Sequence, residues 1–176
     1  MGKLELPGVG MRTIKTAVAV VLSYLFFVPF QYLSPGFFDL LAANGGAFYA
    51  CIAAVICLQS SVGKTVHQGV SRLIGTGIGG LLGLLVLTTD RLLSHPWFLA
   101  LMLGLGTVLV IWLCNVIRRP AACSIAVVVL CVILFNHSGP ERYIYAVSRM
   151  FETAVGVVMA IVINYALPDH RKESEQ

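Results

Sequence analysis

The chain has 176 residues, of which 58% are hydrophobic and only 11% charged, and its mean hydropathy is +0.89. A soluble domain carries about 25% charged residues, so this chain cannot cover its surface with polar groups and must take lipid as its solvent. The net charge of +4 is no argument for nucleic acid, and no polar stretch is long enough for a second domain. The expectation is one transmembrane domain over 1–176, with a short N-terminal segment (1–13) and a polar tail (168–176).

A polar, basic start carries Lys3 and Arg12, and Pro7-Gly8 breaks any early helix. The first apolar run covers Ile14–Leu33, with a kink expected at Pro29. Ser34-Pro35-Gly36 reads as a turn. The second run, Leu40–Leu58, contains Asn44-Gly45-Gly46, and a polar loop with Lys64 and His67 is expected over Gln59–Gly69. The third run, Val70–Thr88, is rich in glycine. After a loop with Asp90, Arg91 and His95 comes a fourth run, Trp97–Ile117, ended by Arg118-Arg119-Pro120. The fifth, Ala121–Phe135, is short for a span of about 20 residues. The sixth, Tyr143–Leu167, contains Arg149 and Glu152 and stops at Pro168. Nothing alternates as barrel strands do, and lipid leaves helices as the other choice. The fold class is therefore all-α, with six transmembrane helices.

Charge sets the orientation. With both termini in the cytoplasm, Lys3, Arg12, Lys15, Lys64, Arg72, Arg118, Arg119, Arg171 and Lys172 face inward, and the outer loops hold only Arg91 and Arg142.

Two stretches look like one unit used twice. Val70-Ser71-Arg72, Thr76 and Gly79 match Val147-Ser148-Arg149, Thr153 and Gly156, all at an offset of 77. Steps of four stay on one helix face. That face carries Ser71, Gly75, Gly79 and Gly83 in the first copy, and Ser148, Glu152, Gly156 and Ala160 in the second. Two successive three-helix halves must have opposite topology, so the pattern is an inverted 3+3 repeat, an arrangement with sites near the midplane.

Gly75-Thr76-Gly77-Ile78-Gly79-Gly80 satisfies G-x-G-x-x-G, but it lies inside an apolar helix with no preceding strand, so a dinucleotide loop is rejected. Gly63-Lys64-Thr65 lacks the earlier glycine of a P-loop, because Leu58 stands there. Gly75, Gly79 and Gly83 form a small-residue face for close helix packing. Three readings stay open for it: packing within the subunit, packing between subunits, or room for a substrate. Cys51, Cys57, Cys114, Cys123 and Cys131 all fall in apolar runs and read as small packing residues. The four histidines are too scattered for a metal site, and no arrangement suggests catalysis. No cofactor and no enzymatic activity are expected.

Arg72 is expected near the inner end of the third helix, either reaching for lipid phosphates or serving a substrate. Arg149 and Glu152 lie about 9 and 14 Å along the sixth helix from Tyr143, at 1.5 Å per residue. That puts Glu152 near the middle of a core about 30 Å thick, where charge is expensive and usually functional. The pair is either a coupling site or an i,i+3 packing pair. Asn44, Asn115 and Asn164 read as makers of interhelical hydrogen bonds.

Met11-Arg12-Thr13-Ile14-Lys15-Thr16-Ala17, Leu58-Gln59-Ser60-Ser61-Val62 and Gly69-Val70-Ser71-Arg72-Leu73-Ile74-Gly75-Thr76, with the glycines after it, resemble the bacterial aromatic acid exporter family, which belongs with the fusaric acid resistance proteins. The resemblance spans essentially the whole chain and is most specific at Gly69–Gly83. It implies a multi-pass protein of the bacterial plasma membrane that exports aromatic carboxylic acids or similar amphiphiles. Longer relatives carry two such units or an added cytoplasmic domain. One unit here implies a homodimer or higher homo-oligomer. For an anionic substrate the candidate cations are Arg149 and Arg72, with Thr76 and Thr153 as hydrogen-bond partners and Glu152 as the coupling carboxyl. A non-transporting scaffold and a passive channel are the rivals.

Overall fold

The computed structural model describes residues 10–33, 47–87, 96–136 and 141–167. The expected turn at Ser34–Gly36, Asn44 with its glycines, the loop around Asp90, the turn at Gly139-Pro140, residues 1–9 and the tail 168–176 lie outside these residues. Six α-helices make up the described chain: α1 Met11–Leu33, α2 Ala47–Cys57, α3 Val62–Leu87, α4 Pro96–Val116, α5 Cys123–Asn136 and α6 Glu141–Ala166. A 3-10 turn, Pro120–Ala122, leads into α5. Four of the helices, α1, α3, α4 and α6, are long and apolar enough to cross a membrane. The all-α expectation holds, with no strand among the described residues.

The first helix begins at Met11 rather than Ile14, and the sixth at Glu141 rather than Tyr143, but the largest difference from the sequence reading is at the third. The third helix begins at Val62 rather than Val70. Ser61 caps it: its hydroxyl accepts the Lys64 N–H at 3.4 Å, and its carbonyl accepts the Thr65 N–H at 3.0 Å. Lys64 and His67 therefore lie on an exposed helical face, not in a loop. Arg72 moves with the boundary. It lies ten residues beyond Val62, about 15 Å along the helix, in mid-span and not at its end.

The α4 helix closes on Arg118, which takes a left-handed conformation (φ 58°). Its N–H reaches the Asn115 carbonyl, and the Arg119 N–H reaches Cys114, both at 2.9 Å. Pro120 then opens the next helical turn.

Packing is crosswise. The long helices α3 and α6 lie against each other, α3 runs along α5, and α6 runs along α2. In turn α1 packs on α2 and α6, while α4 packs on α5 and α3. The small-residue stripes explain the two closest seams. Ser71, Gly75, Gly79 and Gly83 are all buried, as are Ser148, Glu152, Gly156 and Ala160. A methyl group at Gly79 would collide with the Ala126 carbonyl of α5, and one at Gly156 with the Ala50 carbonyl of α2. The residues facing this stripe are Ala122 of the 3-10 turn and Ala126 and Ile133 of α5. The glycine face of α3 thus packs on α5 and the turn before it.

Between α3 and α6, Gly69 faces Val157 and Gly77 faces Met150. This antiparallel register brings Arg72 within one turn of the level of Thr153, and Thr76 within one turn of Arg149. The outer surface is apolar: Trp97, Leu105, Val108, Val147 and Tyr165 are all well exposed.

Candidate functional site

The first cluster is centred on α6. Arg149 and Glu152 are one turn apart on its inward face, and their side chains meet at 3.1 Å, Nη1 to Oε2. Both are buried, Arg149 to 3% exposure and Glu152 to 0%. Glu152 lies eleven residues beyond Glu141, about 16 Å along the helix. The guanidinium of Arg149 stacks over the ring of Tyr49 from α2 and lies 4.3 Å from the ring centre of Tyr145. Cation–π contact of this kind is stronger once water is excluded. The other carboxylate oxygen of Glu152, Oε1, is buried and accepts no hydrogen bond. Beside this cluster, Phe27 of α1 meets Phe151 edge to face at 6.2 Å and Phe26 at 5.5 Å.

Arg72 forms a second, separate feature. It is 8% exposed, and its Nε and Nη1 are buried with no hydrogen-bond partner. The Cys57 thiol of α2 lies close to it. Thr76 and Thr153 are buried as well. The structure therefore brings Arg149 and Glu152 together and leaves Arg72 apart from that pair.

A third cluster escaped sequence reasoning. Lys15 is 2% exposed, and its ammonium donates to the Asn164 side-chain oxygen at 3.4 Å. The Asn164 amide donates to the Gln59 carbonyl at 3.0 Å and to the Thr65 hydroxyl at 2.8 Å. The Thr65 hydroxyl also accepts the Gln59 N–H at 2.9 Å. These bonds tie together the start of α1, the corner between α2 and α3, and the end of α6. The expected interhelical role of Asn164 is thus met. Lys15 was counted only as an inward-facing charge, and Thr65 only as part of a failed P-loop. Tyr49 and Tyr145 were missed too, although Tyr145 lies one turn before Arg149 and was the available signal. Among the described residues no three His, Cys, Asp or Glu side chains converge as metal ligands would.

Six helices, four of them long and apolar, enclose buried charges and present an apolar outer surface. Together these define a polytopic helical membrane protein. The chain belongs to the fusaric acid resistance protein-like family, whose model matches residues 32–163. That family is associated with transport rather than with enzymatic chemistry. None of the curated proteins compared with the chain matches it.

Proposed function

We propose that the protein is a subunit of a proton-coupled exporter of small organic anions, aromatic carboxylic acids above all. The observation that carries this reading is the Glu152 carboxyl. It is fully buried, with one oxygen on Arg149 and the other on nothing. A buried acceptor left without a partner costs about 1–3 kcal/mol, and a packing pair alone has no use for that cost. Oε1 is where a proton fits: it can be protonated without disturbing the bond from Arg149 to Oε2.

The reading includes an inverted repeat. The crosswise contacts of α3 with α5 and of α6 with α2 are what such a repeat requires, and so are the paired contacts of α1 with α6 and of α4 with α3. Motion of one half against the other would expose Glu152 to each side in turn. The protein would sit in the bacterial plasma membrane with both termini in the cytoplasm, following the bias of basic residues. It would work as a homodimer or larger assembly. Because the Gly75–Gly83 face is filled by α5, the subunits would meet through another surface.

The test is benzoate flux in proteoliposomes, with and without a pH gradient. Wild-type protein should move benzoate against its gradient when protons flow the other way. Glu152→Gln keeps the shape and removes the titration, and it should lose the dependence on pH while still reconstituting. Unchanged pH-driven flux in that variant would make the pair structural.

A further inference from the structure

The 77-residue offset sets the two arginines side by side as counterparts with unlike surroundings. Around Arg149 stand Tyr49, Tyr145 and Glu152. The positions that correspond around Arg72 are Ala126, Gln68 and Gly75. The second copy has its cation stacked on an aromatic ring and neutralised by an acid. The first has no aromatic and no acid at the matching places, and two nitrogens of its guanidinium are buried without a partner.

We infer that Arg72 is the receptor for the carboxylate of the transported anion, and that Arg149 is not. This assignment rests on the exporter reading and divides the labour within it. Arg149 is already engaged by Glu152 and the two tyrosines. Arg72 is a buried guanidinium in mid-span, and such a charge is costly unless paired. No acid of the described chain can pair with it. The described acidic residues are Glu141 and Glu152, both on α6. Glu152 bonds Arg149. Glu141 starts α6, about 20 Å along the helix from the level of Arg72. The guanidinium matches a carboxylate in geometry, offering parallel N–H donors that an ammonium lacks. Thr76, one turn along α3, and Thr153, within one turn of the same level on α6, are buried hydroxyls on the two helices.

Two sources share the chemistry of a monovalent anion: an organic carboxylate and an inorganic halide. The experiment uses the full chain in lipid nanodiscs, in a Tris–HEPES buffer free of carboxylate and halide, and follows thermal unfolding while sodium benzoate or sodium chloride is added. Benzoate should stabilise the wild type saturably and more strongly than chloride. Arg72→Met should abolish that shift. Without added anion it should melt no lower than wild type, because an uncompensated buried charge has been replaced by an apolar side chain. Arg72→Lys, which keeps the charge but loses the fork, should bind benzoate at least tenfold more weakly, and it decides the matter if the methionine variant does not fold. Arg72→Met or Arg72→Lys with a wild-type benzoate response overturns the inference. So does an anion-free melting point of Arg72→Met well below wild type, which would mark a structural arginine. A wild type indifferent to benzoate, or one stabilised equally by chloride, also overturns the carboxylate assignment. Loss of flux with binding at Arg72 intact would sink the exporter reading and leave the site standing. Flux unaffected by Arg72→Met would do the reverse.

Discussion

Gly79 of α3 cedes the place of a side chain to the backbone carbonyl of Ala126 on α5. Helices in lipid gain little from the hydrophobic effect against one another, so this seam depends on close backbone approach and dispersion. Gly79→Ala should therefore destabilise the protein by about 1–3 kcal/mol, the range for overpacking. Gly104→Ala in α4, where an added methyl meets nothing within 4 Å, should be neutral or gain up to about 1 kcal/mol from helix propensity. Detergent unfolding of both variants checks the contrast. Equal stability would show that the seam is slack.

Much of this was legible in the sequence. Steps of four along the third and sixth apolar runs picked out the two stripes that the fold buries, because small residues leave a period that composition cannot hide. The internal match located Arg72 and Arg149. What sequence could not supply was the partner of each stripe. That α3 packs on α5 and α6 on α2 depends on tertiary geometry between distant segments. The start of α3 was misplaced because Gly63, Lys64, His67 and Gln68 read as a polar loop. Ser61 and Thr65 turn that stretch into a capped helix, and the capping bonds outweigh its poor apolar content. Tyr49 and Tyr145 were hidden for a related reason: an aromatic in an apolar run looks like packing until a cation is seen over its ring.

The Lys15–Asn164 bond belongs to a network that closes one end of the bundle. Asn164→Leu removes the acceptor of Lys15 and the donors to the Gln59 carbonyl and the Thr65 hydroxyl. Interhelical hydrogen bonds in membranes average about 0.6 kcal/mol and reach about 1.7, so the loss should be about 1–2 kcal/mol. Thr65→Val should cost less, since it removes two bonds, from the Asn164 amide and the Gln59 N–H, where Asn164→Leu removes three. Hydrogen exchange at the start of α3 should quicken in the first variant. Unchanged exchange there would show that the network does not hold the corner.

Arg118 occupies a left-handed conformation that costs an L-residue about 1–2 kcal/mol. Arg118→Gly keeps both closing backbone bonds and relieves that strain, so it should raise stability by about 1 kcal/mol. A drop would mean that the Arg118 side chain makes a contact worth more than the strain.

The proposed topology rests on the charge bias. Cysteines introduced at Ser138 and Ser174 should react with an impermeant reagent from outside and inside respectively, in a background lacking the five native cysteines. In intact cells only the first should label. Labelling of Ser174→Cys with protection of Ser138→Cys would invert the protein, and with it the direction of the proposed transport.

Tyr49 is the side chain of a second helix that stacks on the Arg149 guanidinium. It reaches the guanidinium from α2, while Glu152 reaches it from α6 itself. Tyr49→Phe keeps the π face and should leave benzoate flux within about twofold of wild type, because a cation–π contact in a desolvated site is worth about 2 kcal/mol and resides in the ring. Tyr49→Leu removes the face but keeps the bulk. Glu152 and Tyr145 would still hold Arg149, but its guanidinium would be free to shift relative to the Glu152 carboxyl. The expected result is a displaced pH dependence of flux in Tyr49→Leu, absent from Tyr49→Phe and removed when Glu152→Gln is added. If Tyr49→Leu retains the wild-type pH profile, Tyr49 plays no part in setting the state of Glu152, and the stacking serves only to pack α2 against α6.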